Sequence, residues 1–242
     1  FTSPHLWHFN ERLRFNGAEV PDDTLIELFE SINEARGEVT LSYFEYSTLA
    51  ALLHFARSGA EVALLEVGLG GRLDAVNVMD ADASLIVSVS LDHQMWLGRT
   101  REAIGHEKAG IMRHACPAII ADRDSPISLM THANRVGALV EQIGREFDYE
   151  PDGEHWHYRG RRGGLRLRLP RPTFGGEEQL SNAAGCLAVI EALKKILPVD
   201  SGALFRGLKS ARLGGRMERR DIDAVQWIFD VAHNPAAASA LA

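Results

Sequence analysis

Two stretches of the sequence place residues that can bind a metal ion at the ends of predicted strands. Glu66 lies at the end of the apolar run VALLEV (62–67), and Asp92 and His93 directly follow the apolar run SLIVSVSL (84–91). Open α/β sheets bind ligands beyond the carboxyl ends of their strands. If the two strands are near neighbours, Glu66 and His93 project into one crevice, where a carboxylate oxygen and an imidazole nitrogen can bind Mg²⁺ or Mn²⁺. A loop-capping carboxylate and a turn histidine explain the same residues equally well.

A glycine-rich loop, GLGGR (68–72), follows the first of these runs. It is not a dinucleotide-binding fingerprint, because G-x-G-x-x-G requires a third glycine where this chain has Leu73. The sequence also contains no G-x-x-x-x-G-K-[ST] phosphate-binding loop. The glycines therefore indicate a backbone that turns sharply and approaches a ligand closely.

Several later residues can bind anions or hydroxyl groups. Lys108 lies in the predicted helical stretch HEKAG, where a surface lysine is the ordinary interpretation. Arg216 follows two glycines, and its guanidinium can bind a phosphate in a bidentate manner, although a linker arginine explains it as well. Asp230 and His233 stand at a predicted strand end before a helix N-terminus, which suits an anion or a ribose hydroxyl, or equally a helix cap.

Strands that alternate with helices must position these groups. Apolar spacing predicts an α/β fold with a mainly parallel sheet flanked by helices. Residues 152–169 alternate between polar and apolar types around two glycines, which predicts a β-hairpin. Thr100 is the predicted N-cap of one helix. The predicted helices are 22–36, 45–57, 101–112, 127–146, 181–197 and 200–210, and the predicted strands are 62–67, 84–91, 117–121 and 224–231.

The composition limits the classes of function. A net charge of −7 argues against a broad nucleic-acid-binding face. Cys116 and Cys186 suit a reducing compartment, such as the cytoplasm, and provide neither a disulfide framework nor a zinc site. No apolar run reaches the roughly 20 residues that a membrane helix needs. The first residue is Phe1 and the last is Ala242, in an alanine-rich stretch, so we expect a fragment cut at both ends.

Eight motifs occur in a fixed order along nearly the whole chain: TSPHL (2–6), ERLRFNG (11–17), YFE (43–45), LEVGLGGRLDAVN (65–77), SLDHQMWLG (90–98), EKAGI (107–111), GRM (215–217) and DVAHNP (230–235). Together they resemble the folylpolyglutamate synthase/dihydrofolate synthase family, which belongs to the Mur ligase superfamily of ATP-dependent amide ligases. LEVGLGGRLDA is the most specific motif, whereas HNP alone indicates only the superfamily.

The resemblance implies two domains. Residues 1–214 are expected to form a Mur-ligase-like ATP- and pterin-binding domain that is truncated at its N-terminus. Residues 215–242 are expected to begin a second, Rossmann-like glutamate-ligase domain. The family's phosphate-binding loop lies upstream of TSPHL, and most of its second domain lies beyond residue 242. The resemblance therefore implies that the chain has little or no activity by itself.

The resemblance also implies a reaction. ATP phosphorylates a carboxylate of dihydropteroate or of a reduced folate, and the amino group of L-glutamate then attacks the acyl phosphate to form an amide. Because negative groups must meet, metal ions and cations neutralise the developing charge. Two Mg²⁺ sites, a cytoplasmic location and a monomer that binds neither nucleic acid nor membrane are expected.

Individual residues match functional positions of the family. The metal-ligand positions match Ser3, Glu66 and His93, and a lysine that is carbamylated in the family matches Lys108. The pterin substrate is expected to contact the turn Ser42, Tyr43, Phe44 and Glu45, and the stretch Leu73, Asp74 and Ala75, with Asp74 as a hydrogen-bond acceptor. Asn182 matches an adenine contact, Arg216 a phosphate contact, Asp230 a ribose contact, and His233 the HNP histidine near the nucleotide and the incoming amino acid.

Two alternatives stay open. One is another amino-acid ligase of the Mur superfamily, which the YFE and GGRLDA motifs oppose. The other is a non-catalytic remnant that binds a pterin or a nucleotide without turnover. The retention of Glu66, His93, Lys108, Arg216 and Asp230 opposes this second alternative.

Overall fold

A computed structural model describes residues 1–161, 164–173, 176–232 and 238. The chain divides into two units, Phe1–Met79 and Asp80–Ala242. This division differs from the predicted boundary between residues 214 and 215, which stays a prediction.

The first unit is built on two packed helices. Phe9–Arg12 forms a 3-10 helix, and Arg14–Phe15 (β1) and Ala18–Glu19 (β2) pair as a short antiparallel hairpin. The helices α1 (Asp22–Arg36) and α2 (Tyr43–Arg57) confirm two predicted helices, the second starting two residues early. Spacings of three and four residues place their apolar side chains on one face. The buried residues include Leu25, Leu28, Ile32, Ala50, Ala51 and Phe55.

The strand predicted at 62–67 is wrong in this structure. No strand is assigned there within the described residues, and the side chains of Val62 and Leu64 are 57% and 83% exposed. A strand needs a neighbour that accepts and donates its backbone hydrogen bonds. Here the backbone of this run bonds to the first residue of the chain, because the Glu66 N–H donates to the Phe1 carbonyl at 3.0 Å. A 3-10 helix, Ala75–Val78, follows the glycine-rich loop.

The second unit contains the predicted parallel sheet. Its strands are β3 (Ser84–Ile86), β4 (Pro117–Ile120) and β5 (Leu139–Gln142), in the order β3-β4-β5. The helices α3 (Gln94–Leu97), α4 (Arg101–Ala109) and α5 (Ile127–Val136) lie between these strands in the chain. Thr100 caps α4 as predicted, because its hydroxyl accepts the Ala103 N–H at 3.2 Å.

Three predicted boundaries in this region are wrong. The helix expected at 127–146 ends at Val136, because Gly137 adopts a left-handed conformation (φ +75°) and the chain then enters β5. The strand expected at 84–91 keeps its ladder only to Ile86. The helix expected at 101–112 ends at Ala109.

Three antiparallel strands form a second sheet, β6 (Asp148–Asp152), β7 (His155–Arg159) and β8 (Arg166–Pro170). The pair β7–β8 confirms the predicted hairpin. The sheet buries Trp156, Tyr158 and Leu169 against α6 (Glu178–Leu193), which spans most of the predicted 181–197. A β-carbon on Gly185 would lie 2.9 Å from side-chain atoms of Leu85 and Ala121, so glycine lets α6 pack closely on the parallel sheet.

The last described elements are α7 (Ser201–Ser210), which confirms the helix at 200–210, and a hairpin of β9 (Glu218–Ile222) with β10 (Val225–Phe229). The strand predicted at 224–231 is therefore present, but it pairs antiparallel and all five of its residues are exposed. Among the described residues, no helix is long and apolar enough to cross a membrane. Cys116 and Cys186 are free thiols.

Candidate active site

The predicted turn Ser42–Glu45 is the start of a helix. Ser42 is the N-cap of α2: its Oγ accepts the Glu45 N–H at 3.3 Å, and Glu45 Oε2 accepts the Ser42 N–H at 2.6 Å. These hydrogen bonds lower the pKa of Glu45. In this capping box each of the two polar side chains bonds to the backbone N–H of the other residue. The residues between them are Tyr43, which is 59% exposed, and Phe44.

Phe44 brings this turn against the glycine-rich loop. A β-carbon built on Gly68 would lie 2.6 Å from Cζ and 2.7 Å from Cε2 of the Phe44 ring. Such distances are shorter than van der Waals contact, so only glycine allows this approach. The predicted sharp turn is present too, because Gly70 has a φ of +68°.

Asp74 fixes the shape of the loop. Its Oδ2 accepts the N–H groups of Gly68 at 3.1 Å and Leu69 at 2.9 Å, and its Oδ1 accepts the Val76 N–H at 2.9 Å. The carboxylate thus ties the start of the loop to the 3-10 helix, which begins at Ala75. Leu73, next to it, is 80% exposed. The structure therefore brings together the two stretches that were predicted to bind one substrate.

Ser3 and Glu66 also lie together in the first unit. The Ser3 N–H donates to Glu66 Oε2 at 3.0 Å, and the Thr2 hydroxyl donates to the same oxygen. A carboxylate and a hydroxyl are hard oxygen donors, which suit Mg²⁺ or Mn²⁺. Among the described residues, no group of three or more His, Cys, Asp or Glu side chains has metal-binding geometry. Any ion here would therefore depend on other ligands as well.

His93 and Lys108 belong to the second unit. His93 precedes α3 in a left-handed conformation (φ +48°), and its N–H donates to Asp92 Oδ1 at 2.7 Å. Such backbone strain in a non-glycine residue is common at functional sites. Burial lowers the pKa of Lys108, and the negative charge of Asp92 opposes that shift. Asp92 therefore bonds to the backbone of His93 and acts electrostatically on Lys108.

The crevice that Glu66 and His93 were predicted to share stays a prediction, because the two residues belong to different units. Asn182 lies in the second turn of α6, and its Nδ2 donates to Gln179 Oε1 at 3.1 Å. It is separate in the chain from the other predicted nucleotide contacts, and its role also stays a prediction.

Arg216 and Asp230 are brought together. The carboxylate of Asp230 accepts the Met217 N–H at 2.8 Å and the Ala232 N–H at 2.8 Å, while the Val231 N–H donates to the Gly215 carbonyl at 2.9 Å. Arg216 lies between Gly215 and Met217 in the chain and is exposed. His233, the remaining predicted residue, lies outside the described residues.

Two arginines with structural importance were missed from the sequence. Arg12 is buried, donates to His5 Nδ1 at 2.8 Å, and places its guanidinium carbon 5.2 Å from the ring centroid of Tyr43. Arg101 contacts the segment that leads to His93. Nothing in the motif ERLRFNG or in the helix start TRE distinguishes these arginines from surface arginines, because their partners are distant or are backbone atoms.

Comparisons with known proteins place these motifs in context. No family model matches the chain. The chain is 42% identical over 241 residues to the dihydrofolate synthase/folylpolyglutamate synthase of Escherichia coli (strain K12), a match that covers 100% of this chain and 55% of that protein. The chain spans about half the length of the curated relatives it matches.

Two solved structures are similar. An E. coli FolC in complex with DHPP and ADP matches with a TM-score of 0.92 and 42% identity, covering 100% of this chain and 56% of that one. A bifunctional folylpolyglutamate synthase/dihydrofolate synthase with Mn, AMPPNP and L-glutamate bound matches with a TM-score of 0.90 and 40% identity, covering 100% and 57%.

Proposed function

We propose a function from one premise, that the chain belongs to the dihydrofolate synthase/folylpolyglutamate synthase family. The chain supplies acceptor-binding and metal-binding residues of an ATP-dependent carbon–nitrogen ligase that joins L-glutamate to dihydropteroate, to reduced folates, or to both. The observation that carries this proposal is the arrangement of the loop 66–75. Glu66 at its start is bonded to Ser3, and Asp74 near its end holds Gly68, which packs against Phe44.

The acceptor binds at the start of α2 and the glycine-rich loop. A pterin is a flat ring system, and the aromatic rings of Tyr43 and Phe44 with the exposed side chain of Leu73 offer apolar surface to such a ring. Ser42 and Glu45 in the turn, and Asp74 and Ala75 in the loop, are the other residues that contact the acceptor in this proposal, with Asp74 as a hydrogen-bond acceptor. The similar FolC structure that contains DHPP and ADP supports this assignment.

Ser3 and Glu66 in the first unit would hold Mg²⁺, and His93 in the second unit is the third residue that the family resemblance assigns as a metal ligand. This ion prefers oxygen ligands, keeps several waters, and often takes only one or two protein carboxylates beside substrate phosphates, so one carboxylate with a hydroxyl and an imidazole fits its chemistry. When bound, it neutralises phosphate charge during transfer. A similar structure with Mn and AMPPNP bound supports the binding of a divalent metal ion.

Lys108 would be carbamylated and would then hold a second Mg²⁺. The neutral amine is the form that adds CO₂: the Nζ lone pair bonds to the carbon, a proton leaves, and the cation becomes a carbamate anion. Burial lowers the pKa of Lys108 and so favours the neutral amine. The carbamate oxygens carry a negative charge, which attracts a cation where the ammonium group would repel it.

The nucleotide is bound by residues of the second unit. Asn182 contacts adenine, Asp230 the ribose, and Arg216 the phosphates, where an exposed guanidinium can form two parallel hydrogen bonds. The acceptor carboxylate attacks the γ-phosphorus and ADP leaves. The amino group of L-glutamate then attacks the acyl carbon, and phosphate and a proton leave as the amide forms. The family resemblance assigns His233 to the binding of the nucleotide and of this amino acid. The ligase is a cytoplasmic monomer without nucleic-acid or membrane partners.

Phosphate release by a chimera tests this function. Residues 1–242 replace the aligned segment of the E. coli relative, so the rest of that ligase is present. The assay contains Mg²⁺, ATP and L-glutamate, with dihydropteroate and tetrahydrofolate as separate acceptors. The control is the E. coli relative carrying the same junctions around its own segment.

We expect acceptor-dependent phosphate release by the chimera. Release with dihydropteroate identifies dihydrofolate synthase activity, and release with tetrahydrofolate identifies folylpolyglutamate synthase activity. A folded chimera that binds ADP but releases no phosphate with either acceptor, beside an active control, contradicts the proposed function.

A further inference from the structure

We propose that Arg101 and Asp122 form a positioning pair that holds residues 87–93, and thereby Asp92 and His93, in register with Lys108. The pair touches no substrate. The inference rests on the proposed function for its significance, because that function makes His93 and Lys108 site residues. The geometry of the pair itself is independent of any ligand.

Residues 87–93, the segment after β3, leave the hydrogen-bonded ladder of the parallel sheet. The last ladder-type bond runs from the Ala121 N–H to the Ile86 carbonyl at 2.9 Å. Val89, three residues on, is 3% exposed, and a buried backbone needs partners for its N–H and C=O groups. Side chains provide them: Asp122 Oδ2 accepts the Val89 N–H at 3.0 Å, and Arg101 Nε donates to the Val89 carbonyl at 2.7 Å.

The two side chains that hold Val89 also bind each other. Arg101 Nη2 lies 3.4 Å from Asp122 Oδ2, and Arg101 Nη1 lies 2.6 Å from Asp124 Oδ2. The Asp124 N–H donates to Asp122 Oδ1 at 2.9 Å, which fixes that carboxylate. The side chain of Asp122 is only 13% exposed, so its ion pair is weakly screened. One guanidinium therefore joins α4, the loop after β4 and the segment after β3.

The same helix connects this pair to the site. Arg101 and Lys108 are seven residues apart on α4, close to two turns, so they lie on the same side of the helix. Asp92 is three residues beyond Val89 and acts electrostatically on Lys108. Arg101 thus anchors one end of the segment to α4, the helix that also carries Lys108, and Asp92 and His93 lie at the other end of the segment. Loss of Arg101 should release the segment while α4 remains folded.

Glu102 provides a matched control on the same helical turn. Its carboxylate accepts the N–H groups of Ile127 at 3.1 Å and Ser128 at 2.8 Å, so it caps α5 and its hydrogen bonds lead away from residues 87–93. Glu102→Gln should weaken α5 and leave the segment in place. Arg101→Lys keeps the positive charge but cannot reproduce the guanidinium fork.

Two measurements on the whole chain test the pair without any turnover. The first is backbone amide hydrogen exchange of residues 87–93 against the β4 strand. For Arg101→Gln we expect exchange in 87–93 to rise at least about tenfold, the effect of one lost charge-assisted hydrogen bond on local opening. Exchange in β4 should stay near the wild-type value. Arg101→Lys should give a smaller rise, and Glu102→Gln should raise exchange only at the start of α5.

The second measurement is the acylation rate of Lys108 relative to the three other lysines, Lys194, Lys195 and Lys209. If the segment moves away, the Lys108 rate should change at least about threefold in Arg101→Gln, while the other three rates keep their ratios. Equal exchange rises in all elements would mean general destabilisation, and would overturn the proposal. An unchanged ratio of the Lys108 acylation rate to the rates of the three other lysines would also overturn the proposal. An inactive chimera would overturn the ligase assignment without altering either readout.

Discussion

The ring of Phe44 lies so close to the backbone of Gly68 that a β-carbon on Gly68 would be 2.6 Å from the ring Cζ. This approach joins the first turn of α2 to the loop that begins at Glu66. Tyr43 and Leu73 border the junction and stay largely exposed. The proposed acceptor site therefore depends on Gly68, although the backbone φ of this residue does not require glycine.

Gly68→Ala should weaken acceptor binding. The added methyl group forces the Phe44 ring to move, so we expect dihydropteroate affinity for the chain to fall by about tenfold, or about 1.4 kcal/mol. Isothermal titration of wild type and variant measures this. Gly207→Ala is the control, because a β-carbon there meets nothing within 4 Å and lies in the helix α7. Equal affinities for Gly68→Ala and wild type would show that the ring position does not matter for the acceptor.

Asp74→Ala should lower both stability and acceptor affinity. The carboxylate accepts three backbone hydrogen bonds. Its removal leaves these three N–H groups without their acceptor, and we expect the free energy of unfolding to fall by about 1–3 kcal/mol. Urea unfolding and dihydropteroate titration check the two effects. A variant of unchanged stability but weaker binding would instead mean that Asp74 acts only by contacting the acceptor.

Glu66→Gln should remove a charged metal ligand. In the chimera we expect turnover at limiting Mg²⁺ to fall at least about tenfold, with dihydropteroate affinity preserved. Glu61→Gln, an exposed carboxylate five residues earlier, is the control and should behave as the unmodified chimera. Unmodified rates for Glu66→Gln at limiting Mg²⁺ would refute the metal role of this carboxylate.

Glu11 should make the chain sensitive to acid. The N–H groups of Leu6, Trp7 and His8 donate to its carboxylate, and these bonds lower its pKa from 4.5 to about 2. Because the folded pKa lies below the unfolded one, this group stabilises the folded chain above pH 4.5 and loses that effect as the pH falls towards 2. Glu11→Gln should therefore show a smaller loss of stability across this window.

Urea midpoints at a series of pH values measure this difference. Glu34→Gln, an exposed carboxylate on α1, is the matched control and should follow the wild-type pH profile. Parallel profiles for Glu11→Gln and wild type would contradict the assigned role of Glu11.

The sequence predicted the elements that have strong local signals. α1, α2 and α7 follow from apolar spacing, and the N-cap role of Thr100 follows from its residue type. The strand β5 was missed because LVEQ is short and half polar, and because the stop signal at Gly137 lies inside a run of helix-forming residues. The run 62–67 was misjudged because an apolar stretch becomes a strand only where a neighbouring strand completes its ladder.

The candidate site was predictable only as motifs. Its loops contain the predicted residues. The structure adds that the carboxylates of Asp74 and Glu45 accept hydrogen bonds from backbone N–H groups. The role of Arg101 was not predictable, because its partners are a backbone carbonyl twelve residues earlier and carboxylates more than twenty residues later. Such contacts follow from the packing of the sheet and leave no pattern in the sequence.

The most direct test of the account is a hydrogen-exchange footprint of dihydropteroate on this chain. The chain is compared with and without saturating dihydropteroate, and the protected amides are mapped. We expect protection at residues 43–46 and 68–76, where the start of α2 meets the glycine-rich loop, and loss of that protection in Gly68→Ala. Protection confined to other segments, or none at saturation, would contradict it.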